Sequence, residues 1–91
     1  MNLLVRRSAR KQLAELPDVA ARRIVEGLRV LAAVPHSGIG LEIDGFYEKV
    51  VIIKRRRWSY RLVYELCGND LILHYIDPAW RKRRAGEIER T

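Results

Sequence analysis

The 91-residue sequence has little of what several common functions require. Its single cysteine, Cys67, excludes an intramolecular disulfide framework and any cysteine-rich zinc site. It contains no HExxH motif and no glycine-rich phosphate loop that leads into a helix. No stretch approaches the roughly 20 apolar residues of a membrane span. The sequence therefore predicts a soluble protein that uses no metal and no cofactor.

The N-terminus also lacks the pattern of a signal peptide. Arg6 and Arg7 interrupt the apolar segment after Val5, so no long apolar core follows a basic start. A cytoplasmic location is therefore expected. The chain has no internal repeat and no low-complexity linker, and its length suits one hydrophobic core. Residues 1–91 are accordingly predicted to form a single domain.

Acidic residues are scarce relative to basic ones. Eleven Asp and Glu stand against eighteen Lys and Arg, which gives a net charge of +7 and a pI near 10.2. Most of the cations are arginine, whose planar guanidinium matches a phosphate through two parallel hydrogen bonds. The composition thus favours a polyanionic partner: nucleic acid, an acidic protein or an anionic surface.

The first half of the chain is typical of one strand followed by two helices. Residues 2–5 are short and apolar, and Ser8 is a possible N-cap for a helix that ends before Pro17. Asp18 is a candidate cap for a second helix over residues 19–34. The apolar stripe of that helix consists of Ala20, Ile24, Leu28 and Leu31.

The second half changes to the period of β-strands. Residues 36–40, HSGIG, are predicted as a loop, and a β-branched run over residues 50–53 suits a central strand. Residues 60–66 alternate strictly, which places Tyr60, Leu62, Tyr64 and Leu66 on one face and Arg61, Val63 and Glu65 on the other. Residues 71–76 form a further strand. The order predicts an α+β fold, with an N-terminal helical hairpin packed on one face of a mostly antiparallel sheet of about four strands.

Several cations border these strands on the face opposite the helices. Lys54 ends one strand and Arg61 interrupts the next, so the hairpin between them is expected to bring both onto the open face. His74 lies on the following strand, and Arg81 follows that strand in a polar tail that is predicted to contain a short helix. Lys54, Arg61 and Arg81 are expected to converge on one phosphate, with His74 as a further candidate for the group.

Other interpretations of the same residues stay open. The arginines of the hairpin tip, residues 55–57, are equally typical of a solvated turn, and His74 is equally typical of a structural histidine. Trp58 and Trp80 stand beside basic residues, where a nucleic-acid base can stack, but such side chains also cover sheet edges.

The order of segments in the second half resembles a known family. SYRLVYEL, residues 59–66, is followed by a turn, the strand LILHYI and the basic segment WRKRR. This pattern resembles the RelE/ParE superfamily of bacterial type II toxins, which often carry YRLVY, a turn, an apolar strand and a basic segment. The upstream ARKQLAELP, the second amphipathic helix and the glycine loop follow in the matching order, so the resemblance covers nearly the whole chain.

The resemblance implies a function and a set of site residues. RelE-like members are messenger-RNA endonucleases of the ribosomal A site, in which a ribose 2′-OH attacks the adjacent phosphate without a metal. The match carries over at Lys54, Arg61 and Arg81 as catalytic residues, with Lys54 as base, Arg61 on the phosphorane and Arg81 at the leaving oxygen. The expected RNA contacts are Arg55, Arg56, Arg57, Trp58, His74, Trp80, Arg83 and Arg84.

The chain departs from the RelE-like pattern at two positions. A second lysine of some members is Ile52 here, and Glu87 stands near the place of a C-terminal tyrosine that stacks on a base. ParE-like members, which poison DNA gyrase without nuclease residues, are therefore the alternative, followed by a non-catalytic RNA-binding module. In either toxin branch the expected partner is an acidic antitoxin that covers Arg61, Arg81 and the surface around Trp58; the nuclease also binds ribosome and mRNA.

Overall fold

The structure is a computed structural model that describes residues 1–88. Within that range the chain forms five strands and two α-helices. In chain order these are β1 (Asn2–Val5), α1 (Arg7–Glu15), α2 (Asp18–Ala33), β2 (Ile39–Gly40), β3 (Phe46–Ile52), β4 (Ser59–Cys67) and β5 (Asp70–Pro78). Single 3₁₀ turns cover Pro35–Ser37 and Ala85–Glu87. None of the described helices is long and apolar enough to cross a membrane.

The strands form one sheet in the order β1-β5-β4-β3-β2. Among the neighbouring strands, only β1 and β5 run parallel, and the chain between them includes both helices. The strands from β2 to β5 follow one another through short turns, so each consecutive pair is antiparallel. This confirms the predicted α+β fold. The prediction of a loop over residues 36–40 was wrong at its end, since Ile39 and Gly40 pair with Glu48 and Tyr47 as a fifth, two-residue strand.

The helical hairpin covers one face of the sheet, which is called the helix-facing side below. The predicted stripe of α2 is buried, and it packs on apolar side chains of β4 and β5. The buried cluster includes Ala20, Ile24, Leu28, Leu31, Leu62, Tyr64, Leu71, Leu73 and Ile76. Burial of each large aliphatic side chain stabilises the fold by roughly 1.5–3 kcal/mol relative to exposure. This side therefore supplies most of the hydrophobic stabilisation.

The first helix begins two residues, and the second helix one residue, before the start that the sequence predicts. The N-cap of α1 is Arg6, and the Ser8 hydroxyl donates to the His74 carbonyl oxygen at 2.9 Å instead of capping the helix. The N-cap of α2 is Pro17, so Asp18 is the first helical residue, where its carboxylate interacts favourably with the helix dipole. In both cases the helix has already begun at the residue that was predicted to cap it.

A glycine allows the segment before β2 to approach the sheet closely. The hydroxyl of buried Tyr64 donates to the Pro35 carbonyl oxygen at 2.7 Å. A Cβ at Gly38 would overlap that hydroxyl and lie 2.8 Å from the Glu48 carbonyl oxygen. Burial raises the pKa of Tyr64, so its hydroxyl stays a donor. Gly38 thus sets how closely β2 joins β3.

The end of β5 and the β3–β4 hairpin lie at the same end of the sheet. Ile53 donates its N–H to the Trp58 carbonyl oxygen at 2.9 Å, which closes the hairpin. Ala79, just after β5, donates its N–H to the Ser59 carbonyl oxygen at 3.1 Å. The basic tip of the hairpin and the basic tail after Pro78 therefore start side by side.

The C-terminal segment, residues 79–88, returns across the other face of the sheet. Arg83 bonds to Asp77 and stacks 3.6 Å from the Tyr75 ring, and both residues lie on that face. The same segment borders a cleft of about 600 Å³ against residues 40–43. The face opposite the helices, called the open face below, is therefore partly covered by the chain's own tail.

Candidate nucleic-acid site

Besides the buried side chains of Phe46 and Val63, the open face carries three contacts between a carboxylate and a basic side chain. Each joins side chains of different segments: Glu48 with Arg61, Glu65 with His74, and Asp77 with Arg83. The carboxylates come from β3, β4 and β5, and the register aligns Arg61 with Asp77 across β4 and β5. Charged groups that are this deeply buried need a partner. Removing an ion from water costs several kcal/mol, and the attraction of a well-placed opposite charge offsets about that amount.

Arg61 lies on the open face, as the alternation of β4 predicts, and its guanidinium is held from two sides. Nη1 donates to Glu48 Oε1 at 2.7 Å, and Nη2 donates to the Ala79 carbonyl oxygen at 2.9 Å. The Arg61 side chain is only 17% exposed and the Glu48 side chain 7%. Arg61 Nε is buried and has no hydrogen-bond partner within the described part of the chain. The anion expected beside Arg61 is thus supplied by the protein itself.

Lys54 is not a cross-strand neighbour of Arg61, so that expectation was wrong. The register pairs Arg61 with Val50 and ends at Ile52 opposite Ser59. Lys54 follows Val50, the partner of Arg61, by four residues. At about 3.3 Å per strand residue, this separates Lys54 from Arg61 by roughly 13 Å along the strand direction. Lys54 is exposed, with Nζ 5.9 Å from the centre of the Trp58 ring.

His74 does not join a phosphate-binding group in this structure. It is 2% exposed, and Nε2 lies 3.0 Å from Glu65 Oε1. Its ring centre is 4.9 Å from that of Phe46, in a tilted arrangement. The bulge between Val63 and Tyr64 accommodates His74 as an extra residue of β5 and turns it towards Glu65. These contacts are typical of a structural histidine rather than of a phosphate-binding one.

The basic tail divides into one buried and several exposed cations. Arg83 is 14% exposed, and its two bonds to Asp77 anchor the tail to β5. Arg81 is exposed, and its Nη2 makes a long contact of 3.4 Å with Glu87 Oε2. Glu87 also accepts the backbone N–H of Arg84 at 3.1 Å, and this bond, more than the charges of Arg81 and Arg83, lowers its carboxyl pKa.

Exposed cations and one tryptophan occupy the hairpin between β3 and β4 and the C-terminal segment after β5. They are called the basic rim and comprise Lys54, Arg55, Arg56, Arg57, Trp80, Arg81, Lys82 and Arg84. Trp80 is 83% exposed, whereas Trp58 is half-buried and donates its Nε1–H to the Tyr60 hydroxyl at 3.2 Å. Of the two predicted stacking residues, only Trp80 has a free ring surface comparable to a base-stacking platform.

Sequence reasoning missed the carboxylates that neutralise this face. Glu65 shares the alternation of Arg61, which was a usable signal, but its partner His74 depends on a bulge. Glu48 and Asp77 meet Arg61 and Arg83 through strand register and chain return, which no local pattern encodes. Among residues 1–88, no three His, Cys, Asp or Glu side chains lie close enough to share a metal ion.

Comparison with known proteins was informative only at the level of structure. No protein-family model matches the sequence, and no curated protein matches it significantly. A chain of the intact E. coli RelBE toxin–antitoxin complex has a TM-score of 0.72 at 20% identity, over 88% of this chain and 98% of that chain. The chain has the fold of the RelE/ParE toxins.

Two further solved structures support the same fold. The isolated E. coli RelE toxin has a TM-score of 0.70 at 19% identity and covers 94% of this chain and 89% of its own. A chain of the chromosomal ParDE TA system from P. aeruginosa has a TM-score of 0.65 at 21% identity, over 86% of this chain and 95% of that chain. The RelE-like and ParE-like structures are similar to this chain to nearly the same degree, so the likeness does not separate the two branches.

Proposed function

We propose that this chain is the toxin of a type II toxin–antitoxin system and cuts messenger RNA on the ribosome, in the cytoplasm. The cut would follow attack of a ribose 2′-OH on the adjacent phosphate. The fold likeness supports the toxin class. The observation that carries the nuclease is Arg61, an arginine held rigidly on the open face beside the basic rim.

In the proposed reaction, Arg61 stabilises the negative charge that develops on the phosphate. As the 2′-oxygen bonds to phosphorus, negative charge grows on the phosphorane oxygens, and a preorganised guanidinium stabilises it without reorganising. Arg61 is preorganised by Glu48 and the Ala79 carbonyl oxygen, and its Nε–H is a donor without a partner in residues 1–88. A phosphate oxygen would use that donor or displace the Glu48 carboxylate.

Two rim cations complete the proposed reaction. Lys54, after releasing its own extra proton to solvent, would accept the 2′-OH proton as a neutral amine, and Arg81 would stabilise the negative charge of the leaving 5′-oxygen as the bond from phosphorus to that oxygen breaks. A water molecule would protonate that oxygen, so the products are a 2′,3′-cyclic phosphate and a free 5′-hydroxyl. Lys54 and Arg81 are exposed on segments that flank the Arg61 end of the sheet. Bound RNA must therefore draw them towards the scissile phosphate.

The test is single-turnover cleavage of mRNA on programmed ribosomes. Arg61→Ala should slow cleavage by about 10²–10³-fold, the usual effect of losing one preorganised contact to a developing charge. Arg61→Lys should remain badly impaired, because a point charge does not replace a planar fork. Arg22→Ala, an exposed cation on α2, is the matched control and should cleave normally. Normal cleavage by both Arg61 variants would exclude Arg61 as a catalytic residue.

Gyrase poisoning is the second candidate. It is favoured by the likeness to the P. aeruginosa ParDE chain and by Ile52 and Glu87, which stand where RelE-like enzymes carry a lysine and a tyrosine. Induction in growing cells separates the two functions. Codon-phased cuts in an abundant transcript support the nuclease, whereas intact transcripts with broken chromosomes support gyrase as the target.

An acidic antitoxin is the proposed resting partner in both cases. The chain's charge of +7 and the exposed basic rim favour an acidic partner, and one matched structure is itself a toxin–antitoxin complex. The antitoxin is expected to neutralise Arg81 and the surface around Trp58 and to block access to Arg61. Co-expression with the small open reading frame beside this gene should restore growth and co-purify both proteins.

A further inference from the structure

Arg61 has a carboxylate on each neighbouring strand. Glu48 on β3 accepts from its Nη1 at 2.7 Å. Asp77 on β5 stands directly opposite Arg61 in the register of the two strands. Directly opposed residues share a face, with Cβ atoms about 4.5–5.5 Å apart, so this carboxylate is within reach of the guanidinium. Yet no hydrogen bond or ion pair joins Asp77 to Arg61 in the described chain.

Other donors occupy the Asp77 carboxylate instead. Arg83 donates to both of its oxygens, from Nε to Oδ2 and from Nη2 to Oδ1 at 3.0 Å. Gln12 on α1 donates from Nε2 to Oδ1 at 3.2 Å, and its own Oε1 accepts the Ile76 N–H at 2.8 Å. The Asp77 side chain is only 1% exposed, so these donors replace water almost completely. Together they hold the carboxylate away from Arg61.

Arg83 is fixed in place, unlike the other cations of the tail. Besides its two bonds to Asp77, its guanidinium lies 3.6 Å from the centre of the Tyr75 ring. Its side chain is 14% exposed, whereas Arg81 and Arg84 are exposed. A direct contact between Arg83 and RNA would therefore require it to leave Asp77.

The charges around Arg61 balance only while Arg83 is present. Glu48 and Asp77 supply two negative charges, and Arg61 and Arg83 supply two positive ones. Without Arg83 the group would be net negative, at the place where the proposed reaction builds further negative charge. A buried carboxylate that loses its cation also needs a new partner or a proton. Arg61 is within reach, and its Nε has no partner in residues 1–88.

We propose that Arg83 is a positioning residue, which keeps the Asp77 carboxylate off Arg61 and so leaves that guanidinium available to the scissile phosphate. The hold of Arg83 on Asp77 stands on the geometry, and its effect on cleavage rests on the proposed function. Arg83 acts through Asp77 and does not touch RNA. If Arg83 were an RNA contact, no change at Asp77 could repair its loss.

The test is a rescue experiment in single-turnover cleavage of mRNA on programmed ribosomes. Arg83→Ala should slow cleavage by about 10–100-fold, the scale seen when a group that orients a site residue is removed. Adding Asp77→Asn should restore most of the lost rate, because a neutral amide places no negative charge beside Arg61. A double variant as slow as Arg83→Ala would mean that Arg83 binds RNA or anchors the tail, and would overturn the proposal. Normal cleavage by Arg83→Ala would overturn it as well.

Arg84→Ala is the matched control for a general effect of charge. Arg84 is exposed in the same segment, and its backbone N–H bonds to Glu87. Asp77→Asn removes one negative charge in either background, so it should speed Arg83→Ala much more than Arg84→Ala. Equal gains in the two backgrounds would trace the rescue to total charge and overturn the proposal. Arg83→Gln, which keeps a donor for Asp77, takes the place of Arg83→Ala if that variant does not fold.

NMR tests the same contact without a ribosome. The guanidinium N–H resonances of Arg61 should shift in Arg83→Ala, because Asp77 becomes a new acceptor, and should move back when Asp77→Asn is added. Unchanged resonances in Arg83→Ala would mean that Asp77 takes up a proton or keeps another partner, and would overturn the proposal. A wild-type chain that leaves mRNA uncut contradicts the proposed function, and the NMR comparison then decides by itself whether Arg83 keeps Asp77 off Arg61.

Discussion

The two faces of the sheet are stabilised by different physics. On the helix-facing side, aliphatic side chains from α2, β4 and β5 are buried together without a charged group in the cluster. On the open face, buried or half-buried carboxylates contact basic side chains, and a returning tail covers part of them. Apolar burial is non-directional and roughly proportional to area, whereas an ion pair depends on the position of two particular groups.

This difference separates stability from function. The aliphatic positions of the helix-facing side tolerate substitutions that conserve volume and apolar character, because those side chains donate and accept no hydrogen bond. The open face holds Arg61 in one orientation through Glu48 and Ala79. We infer that the helix-facing side determines whether the chain folds, and that the ion pairs determine how the proposed site is arranged.

The largest stability effect is expected on the helix-facing side. Ile24 is fully buried in the cluster, so Ile24→Ala should lower the free energy of unfolding by about 2–5 kcal/mol through lost burial and a cavity. Urea denaturation measures this change. Val19→Ala, half-exposed on the same helix, should cost less than about 0.5 kcal/mol. Equal losses in the two variants would contradict the assignment of the core.

The next effect tests whether the open-face ions act as pairs. Glu48→Ala leaves Arg61 without its carboxylate and should cost roughly 3 kcal/mol, the usual result of removing one partner of a buried pair. Replacing both residues, Glu48→Leu with Arg61→Met, should restore much of that loss, since no unpaired charge remains. Both values come from urea denaturation. A double variant less stable than Glu48→Ala would mean that the pair itself stabilises the fold.

A smaller effect is expected where the segment before β2 crosses Tyr64. Gly38→Ala introduces a Cβ that overlaps the Tyr64 hydroxyl, so it should destabilise by about 1–3 kcal/mol. In the double variant with Tyr64→Phe the overlap with the hydroxyl is removed, and the added cost of the alanine should shrink. Gly86→Ala, with open space around the glycine, is the control. An unchanged cost in the Phe background would place the strain at the Glu48 carbonyl oxygen instead.

The smallest effect concerns the tail on the open face. Glu87 has a lowered carboxyl pKa, chiefly because it accepts the Arg84 N–H. Its stabilising contribution is therefore complete above its unfolded-state pKa and is lost as the pH falls through the lower folded-state value. NMR titration should find most of the lowering retained in Arg81→Ala. An ordinary pKa for Glu87 in that variant would show that the Arg81 charge is the main cause.

The extent to which sequence predicted this protein follows the same division. The stripe of α2 and the alternation of β4 are local patterns, and each is found as predicted. The predicted helix caps were wrong by two residues at Ser8 and by one at Asp18, because backbone entry from β1 and Pro17 took precedence over side-chain capping. The short strand β2 was missed because two residues carry no periodicity.

The sequence by itself determined the layers of the fold, the side of the sheet that Arg61 occupies and the excess of positive charge. Those properties depend on residue type and on spacing within one element, which are readable along the chain. Only the tertiary structure decided which cations are free. Register placed Glu48 against Arg61, a bulge turned His74 to Glu65, and the returning tail brought Arg83 to Asp77. Ion pairing acts between groups a few ångströms apart, and distance in space between strands and tail is set by packing and not by position in the sequence.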